Sequence, residues 1–225
     1  MSTTTSTTGT VSTPPADLWE TMRTARATRS FRAEPVDLDV LARCLEAATW
    51  APSGGNQQPW RFVVLQSPEA RRAVAVGAER ALATIARTYG LSRPAPDDQS
   101  QRARMARVLF DLHEGAATVP APVLFCTRGT PGTPPLLVGA SIYPAMQNFL
   151  LAARASGLGA LVTGWHETAP SELREAVRVP DDWQLAALLA VGWPARGFGP
   201  VRRRPLADVS ALDTWDTPLV TADQA

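Results

Sequence analysis

The sequence predicts one sheet covered by helices, and three observations carry that expectation. Four short apolar runs, at 62–65, 123–126, 161–163 and 185–193, have the length and composition of buried strands. Segments with helical spacing of apolar residues separate them, and such alternation lays helices over a sheet. No internal repeat is present, which sets aside solenoids and propellers. Four strands are few for 225 residues, so the stretch after residue 193 needs a place of its own. An arm embracing a second copy of the chain is one economical answer.

Asp17 caps a short amphipathic helix that reaches Thr24. Residues 26–35 are Arg-rich and irregular. Asp37 opens a stronger helix, with Leu38, Leu41, Leu45 and Ala48 at helical spacing and a stop near Pro52. Ser53-Gly54-Gly55-Asn56 is a turn, and 62–65 is the first strand. Ser67 and Pro68 supply the cap and first position of an Ala-rich helix to about residue 87. Residues 91–104 are polar and Pro-bearing, and 105–113 is helical. The whole of 89–118 reads as a mobile, lid-like excursion. After the strand 123–126, residues 141–155 form a largely buried helix holding Met146, Phe149, Leu150 and Leu151, closed by Gly157. A strand at 161–163 and a short helix at 171–177 follow. The run 185–193 is the most apolar strand and is expected at the centre of the sheet. From Pro194 onward the chain is Pro- and Arg-rich without strong periodicity.

Composition narrows the function. Hydrophobic residues are 45% and charged residues 19%, which favours a sizeable core and some surface hidden in an oligomer. A net charge of +1 argues against nucleic acid as the main partner. There is no lysine, so any anion bound by a cationic side chain is bound by arginine, whose planar fork suits phosphate. Cys44 and Cys126 lie in apolar segments outside any metal or redox motif and are expected to pack as small hydrophobes in a reducing, cytoplasmic compartment. Residues 1–15 read as a disordered Thr/Ser-rich leader without signal-peptide character, 16–210 as the domain and 211–225 as a tail.

Four places look chemical. Arg26-Ala27-Thr28-Arg29, with Arg32 behind, offers guanidinium groups for a phosphate, although the spacing alone favours a solvated basic loop. Pro52 to Trp60 pairs glycines, which admit a ligand close to the backbone, with Asn and Gln amides suited to a heteroaromatic edge. Thr163-Gly164-Trp165-His166 ends a buried strand, where ligands of open sheets gather. Arg202-Arg203-Arg204 is the size for one phosphate, although in isolation it reads as an exposed charge run. No GxGxxG after a strand, GxxxxGK[ST], HExxH or GxSxG occurs, so a bound cofactor is the expected reactive centre and no metal site is expected.

Together, "RATRSFRAEPV" (26–36), "AATWAPSGGNQQPWRFVVL" (47–65), "GASIYPAMQNFLLAARASGLGALVTGW" (139–165) and "LLAVGWPARGFGPVRRRPL" (188–206) resemble the nitroreductase family. The resemblance implies an α+β fold with a mainly antiparallel or mixed sheet flanked by helices, and a C-terminal arm exchanged in a homodimer. It implies FMN held noncovalently between the two copies, with NAD(P)H as co-substrate. Anchored on Phe31, Arg26 matches the phosphate-contacting arginine and Arg29 the cation beside the ring's N1/O2 side. Ala27 stands where many members carry Ser, and Ala25 where many carry Arg. Pro52, Ser53, Gly54 and Asn56 resemble the loop lining the flavin, Thr163 and Gly164 the strand end near N5, and Arg203 the C-terminal phosphate arginine. The implied chemistry is ping-pong hydride transfer through flavin N5, with no protein acid or base and with Arg29 as electrostatic stabiliser. The implied acceptors are nitroaromatics, quinones or enones. Other branches of the family desaturate a metabolite and pass electrons to oxygen, consume their own flavin, or bind flavin without turnover.

Overall fold

The structure, a computed structural model, describes residues 17–129 and 132–219. The expected leader and the last residues of the tail lie outside them. Among the described residues the chain forms helices α1 (Leu18–Thr24), α2 (Leu38–Thr49), α3 (Pro68–Tyr89), α4 (Gln101–Glu114), α5 (Pro135–Ala155), α6 (Trp165–Thr168) and α7 (Pro170–Val177). The strands are β1 (Trp60–Val64), β2 (Ala121–Thr127), β3 (Gly159–Thr163) and β4 (Gln184–Gly192). They form one sheet in the order β1-β2-β4-β3, and every neighbouring pair is antiparallel. β4, the most apolar run, lies inside the sheet as its composition predicts.

Alternation along the two inner strands divides the core. Val123 and Phe125 of β2, with Ala187, Leu189 and Val191 of β4, pack against α2 and α5 through Leu41, Cys44, Ile142, Ala145 and Phe149. Leu124, Cys126, Leu188 and Ala190 face the other way, onto α3 and Trp165. The pleat thus gives two helical layers on one sheet. Phe125 meets Phe62 at 4.7 Å and Phe149 at 5.5 Å, a contact that pins α5 to the strands. The two free thiols are buried, and burial pushes Cys126 up to about 11, so it packs as an inert apolar group.

Boundaries shift where local signals mislead. α5 begins at Pro135, six positions before the expected start, because Pro135 occupies the first turn, where its missing N–H is no loss. Pro144 lies inside this helix, and the apolar face through Ile142, Ala145 and Phe149 holds the backbone helical around it. α3 runs to Tyr89 and stops at Gly90, which is left-handed (φ 58°). α4 starts at Gln101 because the Ser100 hydroxyl caps Ala103 N–H at 3.1 Å. Its Ala103, Phe110 and Leu112 are buried, so 89–118 contains a packed helix.

α3 crosses α6 at Gly77. A Cβ there would stand 2.3 Å from the Trp165 carbonyl oxygen, and the Thr168 hydroxyl donates to Gly77 O at 2.6 Å. Gly77→Ala should therefore destabilise the protein. Overpacking costs on the order of 1–3 kcal/mol and exceeds the roughly 1 kcal/mol that alanine gains in a helix interior. Urea denaturation checks the sign; a Gly77→Ala protein as stable as the parent would show that α6 yields freely.

Candidate active site

The segment after α1 is tied along the edge of the sheet. Thr28 N–H donates to Ala160 O at 3.0 Å, and Ala27 pairs with Ala160 as an isolated parallel bridge. The approach is so close that a Cβ on Gly159 would lie 2.5 Å from the Thr28 hydroxyl. Further on, Arg32 N–H donates to Trp193 O at 2.8 Å and Ala195 N–H to Ser30 O at 3.0 Å. Val201 N–H then reaches Arg23 O at 2.9 Å. Residues 23–32 and 193–201, far apart in sequence, are thereby fastened side by side.

A hollow of about 380 Å³ opens where they meet, lined by Arg26, Ala27, Arg29, Arg154, Phe198 and Arg203 over a floor that includes Leu150, Leu158 and Val162. Four guanidinium groups face it, and no carboxylate is among its lining residues. Among the described residues, the Arg26 and Arg29 side chains have no hydrogen-bond or ion-pair partner. Arg154 is fixed: its Nε donates to the Thr24 hydroxyl at 2.9 Å, and its guanidinium lies 3.8 Å from the centroid of the Phe198 ring. Burial lowers its pKa from the ordinary arginine value. A dense positive field over an apolar floor suits a ligand with an anionic head and a flat apolar body.

A second hollow, of about 390 Å³, is lined by Pro52, Ser53, Gly54, Gln57 and Pro59 on one side and by Arg128, Leu137, Val138 and Ser141 on the other. Its loop is held from within. The Ser53 hydroxyl accepts from Gln58 N–H at 3.0 Å, Asn56 N–H donates to Ser53 O at 3.0 Å, and Gly54 N–H donates to the Ser141 hydroxyl at 3.3 Å. Gly55, Asn56 and Gln58 are all left-handed, with φ of 56°, 53° and 50°. Such backbone in non-glycine residues persists only where its surroundings impose it.

A model described as the nitroreductase family matches residues 22–193. The chain belongs to the nitroreductase family. Among its curated relatives, 5,6-dimethylbenzimidazole synthase of Rhodospirillum rubrum is 33% identical over 177 residues, covering 75% of this chain and 78% of that one. NADH dehydrogenase of Thermus thermophilus is 30% identical over 194 residues, covering 82% and 90%. Among solved structures, the FMN and NADPH-dependent nitroreductase NfnB from sphigopyxis sp. strain HMH superposes with a TM-score of 0.66 at 24% identity, over 88% of this chain and 100% of that one. Oxidized iodotyrosine deiodinase bound to FMN and 3-iodo-L-tyrosine gives 0.64 at 22%, over 89% and 100%. These two likenesses show the nitroreductase fold.

In this nitroreductase-family chain the residues singled out from sequence fall into three groups. Arg26, Ala27, Arg29 and Arg203 share the arginine hollow. Pro52, Ser53 and Gly54 share the loop hollow. Asn56, Thr163 and Gly164 line neither. The Asn56 side chain accepts from Gln58 Nε2 at 3.3 Å, and the buried Thr163 hydroxyl donates to Leu188 O at 2.8 Å, so it serves the sheet. Gly164 has no heavy atom within 4 Å of where a Cβ would stand, and its backbone is open to approach. Sequence reasoning missed Arg154, Phe198 and Arg128. Arg154 carried a signal, since it is the one charged residue of an otherwise uncharged α5.

Both histidines of the chain are buried. His113 donates from Nδ1 to Leu109 O at 2.8 Å and sets its ring against Trp165 at 5.5 Å. Among the described residues His166 Nδ1 has no hydrogen-bond partner. Burial lowers the pKa of both, so each is neutral in the folded protein near neutral pH, while the unfolded chain takes up a proton near about pH 6.5. The unfolded state then binds more protons below that point. Stability should be flat above about pH 7.5 and should fall as pH drops through 6.5, by up to about 1.4 kcal/mol per pH unit for each histidine. Urea denaturation of the parent and of His113→Gln/His166→Gln between pH 7.5 and 5.5 measures this. The variant should show the flatter slope, and equal slopes would contradict neutral buried imidazoles.

Proposed function

We propose that this nitroreductase-family chain is an FMN-dependent NAD(P)H oxidoreductase that reduces small electron-poor organic compounds, such as nitroaromatics, quinones or enones, by ping-pong hydride transfer. The observation that carries the reading is the convergence of Arg26 and Arg203, from opposite ends of the chain, on one hollow with Arg29 and Arg154 and no acid. That donor set fits FMN: a phosphate for the arginine forks, and a planar ring for the apolar floor. Arg26 and Arg203 would hold the phosphate, Arg29 would stand by negative charge on the reduced ring, and the open backbone at Gly164 would border it. Bound FMN supplies two-electron transfer at its N5. The relatives named NADH dehydrogenase and FMN and NADPH-dependent nitroreductase support the same chemistry.

The working unit in this reading is a homodimer. The arginine hollow and the loop hollow are separate within one chain, and a second copy would bring one against the other. Exposed apolar side chains support the pairing: Trp50 beside the loop, Leu136, Leu137 and Tyr143 on α5, and Trp19 on α1. The segment after β4, with Leu212 and the fully exposed Trp215, would embrace the partner. Free buried Cys44 and Cys126 fit a cytoplasmic setting.

Purified protein should be yellow and dimeric by sedimentation. Anaerobic NADH or NADPH should bleach it, and a nitroaromatic or a quinone should restore the oxidised spectrum. Colourless protein that takes up no FMN would overturn the reading. Yellow protein that neither NADH nor NADPH bleaches would make it a flavin-binding protein or a metabolite dehydrogenase, and permanent loss of the flavin spectrum in air would make it a flavin-consuming enzyme. Arg26→Ala and Arg203→Ala should each weaken FMN binding by about 10- to 100-fold, as expected for losing one charge-assisted hydrogen bond of roughly 1.5–3 kcal/mol. Fluorescence titration of the apoprotein measures it.

A further inference from the structure

Among the described residues lining the loop hollow, one carries a formal charge, Arg128. Its other lining residues are neutral, with Pro52, Pro59, Leu137 and Val138 as apolar walls around space for a small ring. Arg128 stands immediately after β2, and its backbone is tied to the loop it faces. Arg128 N–H donates to Pro59 O at 3.0 Å, and the Thr127 hydroxyl donates to the same carbonyl at 2.9 Å. The backbone that carries the Arg128 side chain is therefore set by the sheet.

The guanidinium is held loosely. Its Nη1 donates to Asp182 Oδ2 at 3.2 Å, with both side chains more than half exposed (57% and 60%), and an exposed pair of that kind contributes little. Its centre lies 5.4 Å from the Trp183 ring centroid. Among the described residues Nε and Nη2 have no partner, so most of the fork faces solvent and is open to a ligand. Asp182 and Trp183 line an adjoining hollow with Gln57 and Gln58, and Arg128 borders both spaces.

The geometry points to a substrate class for the site: small aromatic acceptors bearing one carboxylate, with the ring between Pro52 and Leu137 and the carboxylate on the free edge of the Arg128 fork. Asp182 is the internal competitor that the substrate displaces. Arg128 is thus a specificity residue outside the phosphate-binding set. This assignment rests on the reading that the loop hollow faces the flavin.

The FMN-loaded protein tests it with benzoate and its neutral isostere benzamide, titrated by calorimetry. The parent should bind benzoate about ten-fold or more tighter than benzamide, the size expected for one charge-assisted carboxylate contact. Arg128→Ala should abolish that preference while leaving benzamide affinity and FMN content unchanged, and Asp182→Asn should tighten benzoate. In turnover, Arg128→Ala should raise KM for 4-nitrobenzoate at little-changed kcat and leave both constants for 4-nitrobenzamide alone. Equal benzoate and benzamide binding in the parent, or a preference that survives Arg128→Ala, overturns the assignment. A parent that prefers benzoate yet reduces neither nitro compound counts against the reductase reading and leaves the Arg128 contact standing.

Discussion

The site depends on the backbone ladder that fastens the two ends of the chain together. Thr28 to Ala160, Arg32 to Trp193, Ala195 to Ser30 and Val201 to Arg23 are main-chain bonds, indifferent to side-chain identity. They bring four guanidinium groups to one hollow. Like charges so gathered repel one another, and Arg154, with its pKa lowered by burial, registers the cost of desolvation. The charge of Glu20, outside the lining residues, offsets this in part. The repulsion is tolerated because the rest of the fold holds the segments in place, and an anion entering the hollow would relieve it. Stability and ligand binding are then linked, since a ligand that binds only the folded state adds to its stability by mass action.

The two hollows divide the recognition problem. The arginine hollow is positive and reads an anionic head; the loop hollow has one charge and walls of Pro, Gly and Leu. Within one chain they do not merge, and the proposed pairing of two copies would set one against the other. Apolar residues lie exposed on α1, α2 and α5, the surface that the proposed pairing would cover. α5 embodies the compromise. It is long and apolar enough to span a membrane by length and composition, yet Ile142, Ala145 and Phe149 pack on the sheet while Leu136, Leu137 and Tyr143 lie exposed.

Much of the fold was legible because its signals are local. Asp17, Asp37 and Ser67 each cap a helix with a side-chain oxygen, and each bond is present. The run 185–193 was apolar enough to require burial on both faces, and β4 has it. What was not legible depended on context. Pro134, Pro135 and Gly139 punctuate the sequence as a loop would, yet 135–140 are helical as the largely exposed first turns of a helix whose packed face begins at Ser141. In the candidate site, Arg26 and Arg203 were visible as motif arginines, but their spacing could not distinguish a cradle from a solvated run. That distinction lies in the ladder, which no local pattern encodes. Arg154 and Phe198 escaped for the same reason, since their stack joins residues on separate elements.

The strained loop shows why such a site needs a stiff fold beneath it. Asn56 and Gln58 hold left-handed backbone, which for non-glycine residues costs on the order of 1–3 kcal/mol each. Asn tolerates it better than Gln, and Gln58 is further constrained by the following Pro59. The opposing forces are on the same few residues. Ser53 bonds the loop at both its hydroxyl and its carbonyl, Ser141 receives Gly54 N–H from α5, and Pro59 O takes two bonds from the end of β2. Each anchor belongs to the loop itself or to an element already locked by the core. A relaxed turn would satisfy the connection from α2 to β1 equally well, so the connection alone does not account for the strain. Strain of this kind gathers at ligand-binding loops, which is the role the proposed function gives this one.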